Sequence, residues 1–324
     1  MAFVEIIKSR ALRWLQQSNT PLRRLLERQM VMQTLALSKA NRCATSLRDL
    51  SDAEFSAFSQ WGEDGVIDWL ISRLPDIPQT FVEFGVEDYQ EANTRLLLQL
   101  HNWRGLLMDG SESHINNIQS QEIYWRHSLT AKCAFIDRDN INRLLQEGGM
   151  QGDIGLLSVD IDGNDYWVWQ AINSVNPAIV VSEYNAVLGD LHALTVPYRA
   201  DFYRTLAHYS NLYFGASLPA LIELGKQKGY TFVGTTSTGC NAFFVRKDLA
   251  ALITDALSGA WAFPSRLREA RDQQRNLSFL DGAARPAPIA HLPLVNLRTG
   301  TLTSLAECGD LYSAEWESGR RVRI

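Results

Sequence analysis

The chain of 324 residues contains only four cysteines, Cys43, Cys133, Cys240 and Cys308, widely spaced and without a CxxC pair. That spacing excludes a zinc ribbon or a thioredoxin-type redox motif and fits free thiols in a reducing compartment. No apolar run approaches the roughly eighteen residues needed to cross a bilayer. Near the start, Arg10, Arg13 and two glutamines interrupt anything like a signal-peptide core. A cytoplasmic location is expected. Positive charge is in deficit, 31 Lys and Arg against 36 Asp and Glu, for a net charge of -5. That balance argues against a dedicated nucleic-acid binder. Internal repeats, low-complexity tracts and a G-x-G-x-x-G fingerprint are all missing.

What charge there is lies unevenly. Residues 1–50 hold nine Lys and Arg against three acids, an excess of six, so the remainder is strongly acidic. Thr20 and Pro21 predict a helix start, after which Leu22, Leu25, Leu26 and Met30 share a face with Arg23, Arg24 and Arg28 largely elsewhere. Such a basic arm suits contact with its own domain, a second subunit or, peripherally, an anionic membrane surface. Ser51-Asp-Ala-Glu54 reads as a capping box opening another helix.

Beyond residue 51 the pattern alternates. Strands are predicted at 80–84, 104–108, 130–135, 154–159 and 177–182, with helices near 91–100, 111–121, 139–147 and 164–173 between and after them. An aromatic and histidine-rich insert follows at 185–215, then helix 217–228 and strands 230–234 and 241–246. The short bridge between those last strands fits a hairpin, so the sheet is expected to end antiparallel. The fold class is therefore α/β, a Rossmann-like, doubly wound, mostly parallel seven-stranded sheet with a terminal antiparallel strand. Three segments are expected: a basic helical arm (1–50), the α/β domain (51–250) and a helical or irregular extension (251–324).

Five strand ends carry chemistry-bearing residues. Glu83-Phe-Gly85-Val-Glu87-Asp88 closes the first with one glycine and three acids, which would repel a pyrophosphate and suits a cationic or zwitterionic ligand. Asp109, ending the second, is placed to accept both hydroxyls of an adenosine ribose, or else caps the next helix. That spacing accommodates a nicotinamide cofactor or S-adenosylmethionine, and the single-glycine acidic loop favours the latter. Phe135, Ile136 and Asp137 at the third strand end are candidates for the adenine. The richest stretch is Ser158-Val-Asp160-Ile-Asp162-Gly163-Asn164-Asp165, followed by Ser182-Glu183-Tyr184-Asn185 on the fifth strand.

The series Ser59-Gln60-Trp61-Gly62-Glu63-Asp64, Phe81-Val-Glu83-Phe84-Gly85, Met108-Asp109-Gly110, Val159-Asp160-Ile161-Asp162-Gly163-Asn164-Asp165 and Asn241-Ala-Phe-Phe-Val245 resembles the FkbM-type branch of S-adenosylmethionine-dependent methyltransferases. It is especially similar to relatives found among bacterial surface-polysaccharide genes. The resemblance covers roughly residues 55–250. It implies methyl transfer to an oxygen, commonly of a sugar, with Glu83 and Gly85 in the cofactor loop and Asp109 as the ribose acid. The sequence departs from the usual pattern at Glu83-Phe-Gly-Val, where Asp-x-Gly-Ala is common, and at Asp160-Ile-Asp162-Gly163, where Asp-x-Glu-Gly is usual.

Methyl transfer needs a hydroxyl held in line and stripped of its proton. Asp160, Asp162, Glu183 and Asn185 offer oxygen ligands dense enough for Mg²⁺, which would lower the hydroxyl's pKa. The alternatives are direct acid–base or acceptor binding by Asp160 and Asp162, or simple helix capping by Asp162-Gly163-Asn164. His192 and His208 in the insert are candidate bases. Tyr184, Trp167 and Tyr198 are candidate sugar-stacking surfaces, and Gln60, Glu63 and Asp64 are placed to fold over the ligand or to cap a helix. The expected enzyme is an O-methyltransferase for a carbohydrate or nucleotide-sugar-type acceptor. A nicotinamide oxidoreductase and a non-catalytic scaffold in glycan assembly are the rival readings.

Overall fold

The structure is a computed structural model that describes residues 25, 26 and 28–324. The helix start expected at Thr20-Pro21, together with Leu22, Arg23 and Arg24, lies outside the described residues. Helix α1 occupies 28–43. The chain then runs α2 (Glu63–Arg73), β1 (Thr80–Phe84), α3 (Arg95–His101), β2 (Arg104–Asp109), α4 (Glu112–Ser120), α5 (Glu122–Arg126), β3 (Leu129–Cys133), α6 (Ile141–Glu147), β4 (Gly152–Val159), α7 (Asp165–Ala171) and β5 (Val175–Glu183). Next come β6 (Leu194–Thr195), α8 (Arg204–Ala207), α9 (Leu218–Gln227), β7 (Tyr230–Thr235), β8 (Asn241–Arg246), α10 (Ala251–Thr254), β9 (Trp261–Ala262), β10 (Leu294–Asn296), β11 (Thr301–Thr303), α11 (Ala314–Glu317) and β12 (Val322–Arg323).

Seven strands form one sheet in the order β3-β2-β1-β4-β5-β8-β7. β1 pairs in parallel with both β2 and β4, β2 with β3, and β4 with β5, while β8 runs antiparallel to β5 and to β7. This is the doubly wound, Rossmann-like α/β architecture the alternating pattern predicts. Chain order runs outward from β1 to β3, then returns to the other side of β1 at β4. The crevice above the β1–β4 boundary is thus the topological switch point, where ligands bind in such sheets.

Both faces of the sheet are covered because successive side chains point to opposite sides. Phe81, Leu107, Leu156, Ile179, Val181, Phe243 and Val245 pack on one face with Trp69 and Leu70 of α2. Val82, Phe84, Leu106, Met108, Leu157, Val180 and Phe244 pack on the other with Trp169 of α7 and Leu221 of α9. Strands buried on both faces need near-continuous apolar sequence, which is what Ile154–Val159 and Ala178–Val181 supply. A third cluster joins the insert to the C-terminal segment: Val187, Leu188, Phe202, Leu212 and Phe214 meet Ile289, Leu294 and Leu305. Strand β6 of the insert pairs there with β10, and β10 with β11.

One local expectation is corrected. Ser51–Glu54 does not open a helix as a capping box. Leu50–Ala53 is a single 3₁₀ turn whose cap is Asp49, accepting from the Ser51 amide at 2.9 Å. Glu54 instead accepts from the Ser237 amide and hydroxyl, both at 2.6 Å, tying this turn to the β7–β8 hairpin. A distant partner offering two donors outweighs the weak local bond. Among the described residues no helix is long and apolar enough to cross a membrane.

Candidate active site

The carboxyl ends of β1 to β5 surround a cavity of about 640 Å³ at the switch point. A cavity of this size falls in the range typical of small-molecule sites. Its walls contain Glu83, Gly85, Asp109, Phe135, Ile136, Asp160, Asp162 and Glu183, all singled out from sequence, together with Gln60 and Trp61 from the segment before α2 and Glu63 at its first position.

The β1 end is held by its own acids. Glu83 accepts from the Asn93 and Thr94 amides at 2.8 and 3.1 Å and from the Thr94 hydroxyl at 2.5 Å, so it anchors the chain entering α3. Burial pushes its carboxyl up to about 7 against those hydrogen bonds. Gly85 has φ +67°, and a Cβ there would lie 1.9 Å from the carbonyl oxygen of Asp160. The glycine is therefore demanded by close approach of the β1 and β4 loops, rather than by approach of a ligand. Asp109 accepts from the Glu87 amide at 2.9 Å and the Ser111 amide at 2.8 Å, with His114 Nδ1 at 3.2 Å. It holds Glu87 at φ 47°, shaping the loop. A carboxylate has about four acceptor sites, so capacity for ligand hydroxyls remains. Phe135 is 48% exposed, and Ile136 is buried beside it.

Asp137 belongs elsewhere. It accepts from the Asp139 and Asn140 amides, both at 2.8 Å, as a local turn before α6, and it does not line the cavity.

Across the switch point lie the acids of β4 and β5. Asp160, Asp162 and Glu183 bring one carboxylate oxygen each within 4.8 Å of one another. Burial, with repulsion from the neighbouring acids, holds the carboxyls of Asp160 and Glu183 well above the usual range. Oε2 of Glu183 has no hydrogen-bond partner. Asp165, the first residue of α7, accepts from the Ile161 and Gly163 amides at 2.8 Å and so closes the loop before the helix, whose N-cap Asn164 makes no side-chain cap hydrogen bond. Gly163 has a packing reason, since a Cβ would lie 2.2 Å from the Phe202 ring.

Three expected participants are placed outside the cavity. Asn185 is 1% exposed and spends its amide nitrogen on the carbonyls of Leu212 and Phe214, both at 2.9 Å, while its oxygen accepts from the Val187 amide. An amide buried and turned toward the insert in this way does not present its oxygen to the cavity. Tyr184 is buried in the core, its hydroxyl donating to the Phe263 carbonyl at 2.5 Å. His192 meets the Asp310 carbonyl at 2.9 Å through Nε2 and does not reach the acids. The cause is the remote chain: the insert takes Asn185 as its own contact, and the C-terminal segment takes Tyr184 and His192. His208, Trp167 and Tyr198 also lie outside the cavity lining. His208 pairs with Ser210, Trp167 donates to the Val196 carbonyl, and the Tyr198 ring lies under Arg138.

The residue that sequence reasoning missed is Arg204, at the start of α8 in the insert. Its guanidinium pairs with Asp162 at 2.6 Å and with Glu269 at 3.0 Å, lies 3.7 Å from the Phe214 ring centroid, and donates through Nε to the Asn211 carbonyl at 2.9 Å. Its side chain is only 15% exposed. The surrounding acids hold it fully protonated in spite of burial. Leu267 and Glu269, from the C-terminal segment, complete this wall. No linear spacing signals these residues, since 42 positions separate Arg204 from Asp162 and 65 separate it from Glu269. Asn241 of β8 is also in the wall and donates to Glu63 at 2.8 Å.

No family model and no curated protein matches this chain. Among solved structures, it is similar to the N-terminal domain of EvdMO1, determined in the presence of SAH and D-fucose, with 11% identity and a TM-score of 0.38 over 69% of this chain and 96% of that one. It is also similar to an S-adenosylmethionine-dependent methyltransferase from Clostridium acetobutylicum ATCC 824, at 9% identity and a TM-score of 0.37 over 59% and 93% of the two chains. A third is the glycopeptide N-methyltransferase MtfA complexed with sinefungin, at 9% identity and a TM-score of 0.33 over 56% and 85%. The fold assignment rests on the strand order and register described above.

Proposed function

We propose that this protein is an S-adenosylmethionine-dependent methyltransferase acting on a hydroxyl of a carbohydrate-type acceptor. The observation that carries this reading is that one cavity joins two unlike halves at the switch point. One half, made by the β1, β2 and β3 ends, offers Asp109 for ribose hydroxyls and Phe135 with Ile136 for an adenine face. The other offers the acids of β4 and β5. The FkbM-type resemblance supports the same division.

The residues fit the cofactor. Asp109 keeps free acceptor capacity, the Phe135 ring is half exposed beside it, and the acidic lining suits a sulfonium with an ammonium group. Both Glu83 oxygens already accept from the chain, so this carboxylate shapes the loop and contributes its field. When bound, S-adenosylmethionine supplies an electrophilic methyl group. Asp160 lies beside Gly85, where the two halves meet, and its raised proton affinity suits it to take the proton of an attacking hydroxyl. Trp61 and Phe202 in the walls restrict water around the acceptor.

The expected Mg²⁺ site does not fit the donor set. Asp162 is already neutralised by Arg204, and Asn185 faces the insert, leaving Asp160 and Glu183 of the four intended ligands.

Calorimetric titration with S-adenosylhomocysteine tests the reading, comparing wild type with Asp109→Ala and Phe135→Ala. Micromolar binding weakened in both variants supports it. Absence of binding to the wild type, or preference for NAD(H), overturns it.

A further inference from the structure

We infer that the acceptor carries an amino group, held as an ammonium at Glu183, beside the hydroxyl that is methylated. This inference rests on the methyltransferase reading and names the substrate class of the same cavity.

The cavity walls contain nine acidic residues and a single arginine. That arginine is spoken for: Arg204 is paired with Asp162 and Glu269 and stacked on Phe214. Arg204 attracts Asp160 and Glu183 through space, but its N–H groups go to Asp162, Glu269 and the Asn211 carbonyl, so among the described residues no cation hydrogen-bonds to these two acids, which crowd each other at the ends of adjacent strands. Two ionised carboxylates this close and sheltered from water carry a large penalty unless a positive group joins them.

A separate observation points the same way. The cavity-lining side chains that keep an unpartnered buried polar atom are Glu183, Asn164 and Asn241, and each such atom is an acceptor. Asn164 and Asn241 are 3% and 7% exposed. Their amide orientations follow from their partners, because Asn164 Nδ2 meets the Arg199 carbonyl and Asn241 Nδ2 meets the Glu63 carboxylate, groups that only accept. The wall therefore asks for donors. A phosphate brings acceptors and negative charge, and is rejected on both counts. An ammonium brings three donors and a positive charge. With Glu183 engaged by the ammonium, Asp160 stays available for the hydroxyl proton, so one ligand satisfies both acids. The nucleotide-sugar alternative for the acceptor is disfavoured by the same argument.

The test is a binding comparison with matched probes, the full-length protein being saturated with S-adenosylhomocysteine. Ethanolamine, glucosamine and galactosamine are set against ethylene glycol, glucose and galactose, with glucose 6-phosphate and Mg²⁺ as further arms. The amine of at least one pair is expected to bind about tenfold more tightly than its neutral counterpart, as one charge-assisted hydrogen bond would give. Glucose 6-phosphate is expected not to bind. In Glu183→Gln the amine preference disappears, while the affinity for S-adenosylhomocysteine, read in the same titration, shows that the fold and the cofactor half persist. Equal binding within every pair, no binding by any amine, tighter binding of glucose 6-phosphate, or a Mg²⁺ response abolished by Glu183→Gln each overturns the inference. If S-adenosylhomocysteine itself fails to bind, the methyltransferase reading has failed first.

Discussion

Arg204 and Asp162 form a 2.6 Å ion pair that ties the insert after β5 to the loop after β4. Asp162 holds a φ of 56° in that loop, a conformation uncommon outside glycine. The pair brings a guanidinium over an acidic cavity, and the second partner, Glu269, adds the C-terminal segment to the same joint.

Arg204→Met should loosen this joint. Asp162 and Glu269 are 58% and 47% exposed, so each ion pair alone is worth little. Loss of the stacking on Phe214, and of the one arginine that the described residues bring to the cavity wall, adds to it. A destabilisation of about 1–2 kcal/mol is expected by urea denaturation. Arg204→Lys should recover little, because a lysine cannot fork between two carboxylates.

Stability should fall as pH rises from acid to neutral. Glu83 is raised from 4.5 to about 7 and Asp165 from 3.8 to about 6, chiefly by burial. The native state therefore holds these protons more tightly than the unfolded chain. Their contribution is complete below the unfolded values and is lost as pH climbs through the native ones. Asp160 is raised for the same reason. Asp160→Asn should thus flatten the profile and gain on wild type toward alkaline pH, measured by denaturation at about pH 5 and pH 8. An unchanged profile would show that Asp160 is ionised in the native state at no cost.

Gly85→Ala should be severe for so small a change. The added methyl meets the Asp160 carbonyl at 1.9 Å, and φ +67° disfavours any side chain. A loss of about 2–4 kcal/mol is expected in urea unfolding. Binding of S-adenosylhomocysteine should weaken with it, since the two loops that move apart are both cavity walls.

Asp64 tests how the segment carrying Gln60 and Trp61 is held. One of its oxygens accepts from the Ala57, Phe58 and Ser59 amides at 2.8, 2.6 and 2.8 Å. Asp64→Ala strands those donors and should cost about 3 kcal/mol, whereas Asp64→Asn keeps an acceptor and should cost about 1 kcal/mol. Thermal unfolding of both variants checks the order. Equal losses would mean that charge rather than hydrogen bonding matters there.

Sequence alone determined the sheet. Strands buried on both faces carry near-continuous apolar runs, and turns between them follow from local residue types, so β1, β2, β4, β5, β7 and β8 are legible without coordinates. The acids at strand ends are legible too, because a carboxylate closing an apolar run has few places to go except an open edge. That reasoning located Glu83, Asp109, Asp160, Asp162 and Glu183 in what proves to be one cavity. Only the tertiary structure decided how those acids are used. Asp165 closes the loop before α7, Gly85 yields to a backbone carbonyl, Asn185 serves the insert, and Tyr184 and His192 serve the returning C-terminal segment. Arg204 and Glu269 reach the cavity from distant parts of the chain. Strand periodicity is a local property, written in consecutive residues. The choice of hydrogen-bond partner depends on whatever the remote chain brings within 3 Å, and no spacing in the sequence encodes it.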